Sequence, residues 1–169
     1  MDLTPRWRPT ARIFVVDPEE RILLFSSADP EGTTTWWFTP GGAMQRGETL
    51  QATAVRELRE ETGYACTEAE LGPLVATCAG TWAAGQGKRP YFSADSFFFL
   101  RVPHADIDTG GHDDAERVYL TGYRWWTLPE LRSTDAVVWP LGLAGLLEAL
   151  LRDGPPERPV RLTWALPAP

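Results

Sequence analysis

The chain has 169 residues, enough for one domain with a sizeable core. It carries 23 acidic residues against 16 Lys and Arg, a net charge of −7, which argues against a general nucleic-acid-binding surface but leaves phosphate binding open where a metal mediates. Cys66 and Cys78 make neither a disulfide framework nor a metal motif, the first ten residues have no apolar leader core, and no apolar run reaches membrane-spanning length. The expectation is a single domain over residues 1–169, cytoplasmic, with neither a membrane nor a nucleic-acid duplex as partner.

Residues 11–16 and 21–25 predict two strands joined by a turn at Asp17-Pro18-Glu19-Glu20. Residues 29–35 are polar and loop-like. Trp36-Trp37-Phe38 reads as a short strand delivering the glycine loop Pro40-Gly41-Gly42. Thr49 is an N-cap candidate, with Glu48 near the positive end of the helix dipole, and Gly63 suits the left-handed residue that ends a helix. Residues 74–78 and 96–102 predict further strands, with 81–90 as a long connection rich in Gly and Ala. The run Phe97-Phe98-Phe99-Leu100 fits a strand buried on both faces. Another strand is expected at 123–126, a short helical turn from Leu128, and a second helix over 139–151 with Leu143, Leu146, Leu147, Leu150 and Leu151 apolar. Residues 160–166 read as a last strand or an extended tail. The sum is an α/β fold, a mixed sheet with helices packed on it.

The chemistry concentrates in residues 42–64, GAMQRGETLQATAVRELREETGY. At about 100° per residue, Leu50, Ala54, Val55 and Leu58 share one arc of the helix. Glu57 and Glu61 fall at its edge, and Glu60 lies further round. Carboxylates crowded at the border of a buried stripe repel one another and lose hydration, and a bound divalent cation relieves both. Oxygen-only ligands favour Mg²⁺, Mn²⁺ or Ca²⁺ over zinc. A solvated helix with ordinary Glu–Arg pairs would carry the same residues. The glycine loop just before it distinguishes this stretch, because it lets backbone amides and carbonyls approach a ligand closely.

The stretch resembles the Nudix box, G-x5-E-x7-R-E-U-x-E-E-x-G-U, with U a bulky aliphatic residue. Gly42, Glu48, Arg56, Glu57, Leu58, Glu60, Glu61 and Gly63 stand at the required spacing, and only Tyr64 departs, at the helix exit. The resemblance implies an α/β/α sandwich with the box helix against a mixed sheet. It implies a Mg²⁺- or Mn²⁺-dependent hydrolase of a nucleoside diphosphate linked to another group. It makes Glu57 and Glu61 metal ligands, with Glu60 bound directly or through water and the Gly41 carbonyl as a further ligand. Arg56 would orient the carboxylates, paired with Glu48. The general base varies across the family and sometimes lies outside the box; Glu116, in the 112–116 loop, is the candidate for such an outside acid. The family also allows a homodimer.

Trp36-Trp37 and Trp125-Trp126 alternate across strands, so one of each pair is expected in the core. Trp37 and Trp82 are candidates to stack on a base, although core packing accounts for them as well. Arg12, Lys88, Arg89 and Arg124 are candidate phosphate contacts, and nothing pairs His104 or His112 with a nucleophile. Neither the SQPWPFPxS pattern of NADH-type members nor the proline of ADP-ribose-type members follows the box. Two rival functions remain: a nucleotide-binding sensor without turnover, which usually loses box glutamates, and an isopentenyl diphosphate isomerase, for which Cys78 would have to serve as catalyst.

Overall fold

The computed structural model describes residues 4–28, 34–83 and 88–165, with the side chains of residues 115 and 116 outside that description. Among the described residues, nine strands form one mixed sheet in the order β8-β3-β2-β1-β6-β5-β9, with β4 paired to β1 and β7 to β2. The strands are β1 Arg6–Val16, β2 Ile22–Ala28, β3 Thr35–Phe38, β4 Gly41–Ala43, β5 Leu74–Trp82, β6 Tyr91–Arg101, β7 Leu120–Trp126, β8 Val137–Trp139 and β9 Val160–Arg161. The helices are α1 Leu50–Thr62, α2 Asp114–Tyr119, α3 Leu128–Ser133 and α4 Leu143–Asp153.

The central pair, β1 and β6, runs parallel from Arg6↔Tyr91 to Val16↔Arg101. Alternation along these strands feeds two cores. On one face Ala11, Ile13, Val15 and Phe98 pack with Ala54 and Leu58 of α1. On the other Phe14, Val16, Phe97 and Phe99 pack with Leu143, Leu146, Leu147 and Leu150 of α4. The triple-phenylalanine run is therefore buried on both faces, and the layers are helix, sheet, helix. Fully burying a side chain such as Leu58 or Phe97 contributes about 2 kcal/mol each.

The helix caps follow the sequence signals. Thr49 Oγ1 accepts from the Ala52 amide at 3.0 Å, and Gly63 ends α1 at φ 75° with its amide on the Arg59 carbonyl. At the first turn Asp17 accepts from the amides of Glu19 and Arg21 and pairs with the Arg21 guanidinium.

Several boundaries differ from expectation. β1 begins at Arg6 and β6 at Tyr91, because each supplies the other with a full parallel partner that the mixed polar and aromatic residues at their starts conceal. β5 continues to Trp82, shortening the connection expected over 81–90. The loop expected over 29–35 falls mostly outside the described residues. The helix expected from 139 begins at Leu143 instead: residues before a proline favour extended backbone, and 137–139 form β8 alongside β3 ahead of Pro140.

Candidate active site

β4 lies antiparallel on β1 with Arg12↔Gly41, Ala11↔Gly42 and Thr10↔Ala43. Gly41 adopts φ +128°, and a Cβ there would sit 2.1 Å from the Ala11 carbonyl oxygen, so only glycine fits. A Cβ on Gly42 would lie 2.5 Å from Glu57 Oε1. The two glycines thus bring the main chain directly onto the carboxylates of α1. The Gly41 amide donates to Glu61 Oε2 at 2.6 Å.

Glu57 and Glu61 are 6% and 4% exposed, unusually buried for carboxylates on a helix. Behind them stands Arg56. Its Nε and Nη2 donate to Glu48 at 2.7 and 3.0 Å, its Nη1 to Glu57 at 2.7 Å and Glu60 at 3.1 Å, and Nη2 also to the Ala43 carbonyl at 3.2 Å. One guanidinium therefore ties three carboxylates to the glycine strand. Hydrogen bonds from Arg56, with further support from the Gln45 amide and the Thr53 hydroxyl, hold the Glu48 carboxyl at about 2, below its ordinary 4.5. The same contacts push the Arg56 guanidinium upward, the Glu48 hydrogen bond foremost.

The carboxylates open onto a cleft of about 760 Å³, within the range of small-molecule binding sites. Gly41, Gly42, Glu57 and Glu61 form its acidic end. Arg8 and Arg12 of β1 flank it, and Ser93, Asp95 and a set of aromatic rings line the rest. Arg12 Nη1 donates to the Thr39 and Gly41 carbonyls, both at 3.1 Å, and its guanidinium lies 5.9 Å from the Phe38 ring centre. Its Nε is buried with no partner among the described residues. Burial, then the neighbouring Arg12, lowers the Arg8 guanidinium from its ordinary value. Asp95 is buried and accepts from the Thr10 hydroxyl.

Of the residues the sequence singles out, Gly41, Gly42, Glu57 and Glu61 meet on the cleft, with Glu48 and Arg56 behind them. Glu60 differs: its side chain is 44% exposed, turned to Arg56 and absent from the cleft wall. Among the described residues no three His, Cys, Asp or Glu side chains are gathered as a metal cluster. Glu116 lies in helix α2 rather than a loop, and its side chain is outside the described residues. Trp37 packs edge-on to Trp126 in the core, whereas Trp82 does line the cleft. Arg89 binds the Thr4 carbonyl, and Arg124 pairs with Glu130 over the Trp126 ring. Cys78 is buried off the cleft, and burial pushes its thiol up to about 11, which suits packing rather than catalysis. Sequence reasoning missed Arg8, Asp95, Tyr119, Trp139 and Trp164. The only signal was alternation, Arg8-x-Thr10-x-Arg12 and Ser93-x-Asp95, on strand segments the pattern did not extend to.

The donor set fits a hard divalent cation. Two buried carboxylates and the Gly41 carbonyl are all oxygen, and Mg²⁺ is commonly held by one or two carboxylates with water and substrate phosphates completing its shell.

The family model described as NUDIX domain matches residues 6–143. A Bacillus subtilis (strain 168) protein named "Putative 8-oxo-dGTP diphosphatase" is 29% identical over 116 residues, 68% of this chain and 63% of that protein. A Caenorhabditis elegans protein named "Putative nudix hydrolase 1" is 49% identical over 35 residues, 21% of this chain and 10% of that one. The chain thus spans less than two thirds of the length of the curated relatives it matches. Among solved structures, the MutT protein from Methanosarcina mazei Go1 aligns with TM-score 0.63 at 18% identity, covering 89% of this chain and 97% of that one. A MutT protein from Bacillus halodurans aligns with TM-score 0.58 at 20% identity, covering 92% and 88%. Both share the fold, and no helix among the described residues is long and apolar enough to cross a membrane. With the family model matched over most of its length, the chain belongs to the Nudix hydrolase family.

Proposed function

We propose that the protein is a Mg²⁺-dependent hydrolase, with Mn²⁺ as a substitute, that cleaves a diphosphate bond in a nucleoside diphosphate linked to another group. One observation carries the reading: two buried carboxylates, Glu57 and Glu61, lie against glycine backbone in a cleft that Arg8 and Arg12 also line. The cation, when bound, neutralises phosphoryl oxygens and lowers the pKa of coordinated water. Glu57, Glu61 and the Gly41 carbonyl would hold it, with Glu60 bound directly or through water. Arg56 is a positioning residue: it fixes the carboxylates and is itself fixed by Glu48. Arg8 and Arg12 draw the diphosphate into the cleft. Residues 1–169 act as one domain.

The name of the Bacillus subtilis relative puts purine nucleoside triphosphates first among the substrates to test. The experiment is Mg²⁺-dependent turnover on a panel of dNTPs with 8-oxo-dGTP, NTPs, ADP-ribose, NADH, nucleotide sugars and dinucleoside polyphosphates, run beside Glu61→Gln. Cleavage of one class is expected, abolished by chelator and reduced at least 100-fold in the variant. A nucleotide bound intact, with no turnover of any panel member, would reject hydrolysis and favour a sensor.

A further inference from the structure

The cleft has a second end. By register Gly80 faces Ser93 and Cys78 faces Asp95, so Gly80, Trp82, Ser93 and Asp95 share one face of the β5–β6 ladder. Trp82 donates its indole N–H to Ser93 Oγ at 2.8 Å, and Arg8 sits 5.8 Å from its ring centre. Over this floor comes the segment after α4. Its strand β9 runs parallel to β5 through Ala76↔Val160 and Thr77↔Arg161, and the Leu162 amide donates to the Thr77 carbonyl at 2.8 Å.

That short strap delivers Trp164. Its ring lies on Gly80: a Cβ there would fall 2.1 Å from Trp164 Cδ1 and Cγ. Gly80 has no positive φ, so its missing side chain serves the ring above it rather than the turn of the chain. Trp164 meets Trp139 edge-on at 4.8 Å, and both rings, with Trp82, line the cleft only partly buried. The three rings line one cavity together with the polar groups of Asp95 and Ser93. Apolar flat walls over a floor of hydrogen-bonding groups match a planar heteroaromatic ring, with stacking surface on its faces and polar atoms on its edge.

We infer that the C-terminal strap, through Trp164, completes a subsite for the nucleobase, and that Trp164 is a specificity-determining residue lying outside the 6–143 stretch that matches the family. The inference rests on the nucleotide reading above. Trp164 touches the base and not the reacting phosphates, so it governs KM.

The test compares wild type with Trp164→Ala, Trp164→Phe and Gly80→Ala on the best panel substrate, each variant first checked for a cooperative thermal melt. Gly80→Ala keeps every cleft side chain but forces the Trp164 ring off its seat. Trp164→Ala and Gly80→Ala are expected to raise KM roughly tenfold with kcat changed far less, while Trp164→Phe stays close to wild type. An unchanged KM in both Trp164→Ala and Gly80→Ala, or a loss confined to kcat, overturns the inference. Should Trp164→Ala fail to fold, Gly80→Ala decides alone. If wild type turns over no substrate, equilibrium dialysis of the same nucleotides replaces the kinetics. Binding that weakens in Gly80→Ala then upholds the subsite while hydrolysis fails, and no binding overturns both.

Discussion

The two ends of the cleft are made in different ways. The acidic end comes almost wholly from one continuous stretch: Arg56 reaches Glu60 four residues away and Glu48 eight away, and Gly41 reaches Glu61 across twenty. The aromatic end is assembled from the far corners of the chain. Thr10 meets Asp95 across 85 residues, and Trp164 rests on Gly80. Helical periodicity fixes the first, because residues three and four apart share a face whatever else the chain does. Strand register and a C-terminal strap fix the second. The two ends should therefore fail differently: a small change at the acidic end acts on catalysis by misplacing one group, and a change at the aromatic end acts on affinity.

Gly42→Ala tests that contrast with the largest effect. The added methyl would stand 2.5 Å from Glu57 Oε1, and the carboxylate, at the end of a flexible side chain, must swing away. Displacing a reacting-site group by about 1 Å costs on the order of 100-fold in rate, so kcat is expected to fall by about that factor with KM little changed. Thermal melting should shift by only a few degrees, since no backbone contact is lost. An unchanged kcat would mean that the position of Glu57 does not matter to the reaction, and the acidic end would lose its assigned role.

The same contrast explains what the sequence could disclose. Thr49, Gly63 and the spacing of Glu57 and Glu61 announce the helix and its acidic edge, because caps and periodicity are local. Phe97 to Leu100 announce a strand buried on both faces. Arg8 and Asp95 carry no such mark, because their strands start in sequence of mixed polar and aromatic residues that becomes regular only when β1 and β6 lie side by side. Trp164 was hidden for the same reason: nothing near it in the chain points to Gly80. Glu60 is marked by the same spacing, and its side chain pairs with Arg56 while Glu57 and Glu61 line the cleft.

Arg56→Ala sharpens the account of the acidic end by removing its support instead of its ligands. Glu57 would remain buried without this guanidinium, and Glu48 and Glu60 would lose their shared partner. For a guanidinium about one-fifth exposed the loss lies between that of surface and fully buried pairs, about 2 kcal/mol. Urea unfolding should register it as a lower midpoint with an unchanged m-value. Activity should fall as well, and Arg56→Lys should restore little, since an ammonium cannot bridge three carboxylates in the fixed fork that the guanidinium offers. Full stability in Arg56→Ala would show that the carboxylates are held by other contacts.

The smallest expected effect is the most diagnostic in pH. Glu48 is held at about 2 against an ordinary 4.5, chiefly by the Arg56 hydrogen bond, so it binds its proton more weakly in the folded chain than in the unfolded one. Its contribution is therefore fully present above pH 4.5, shrinks as the pH falls from there, and is gone below about 2. Glu48→Gln removes the charge at every pH. The variant should be less stable than wild type by about 1 kcal/mol at pH 7, once solvent screening of a surface-accessible pair is allowed for. The gap should close between pH 4.5 and 2, where wild-type Glu48 becomes as neutral as glutamine. Paired urea titrations across that window read the gap directly. A gap that stays constant down to pH 2 would mean that Glu48 acts through shape and hydrogen bonding alone, and that Arg56 draws its anchorage from Glu57, Glu60 and the Ala43 carbonyl instead.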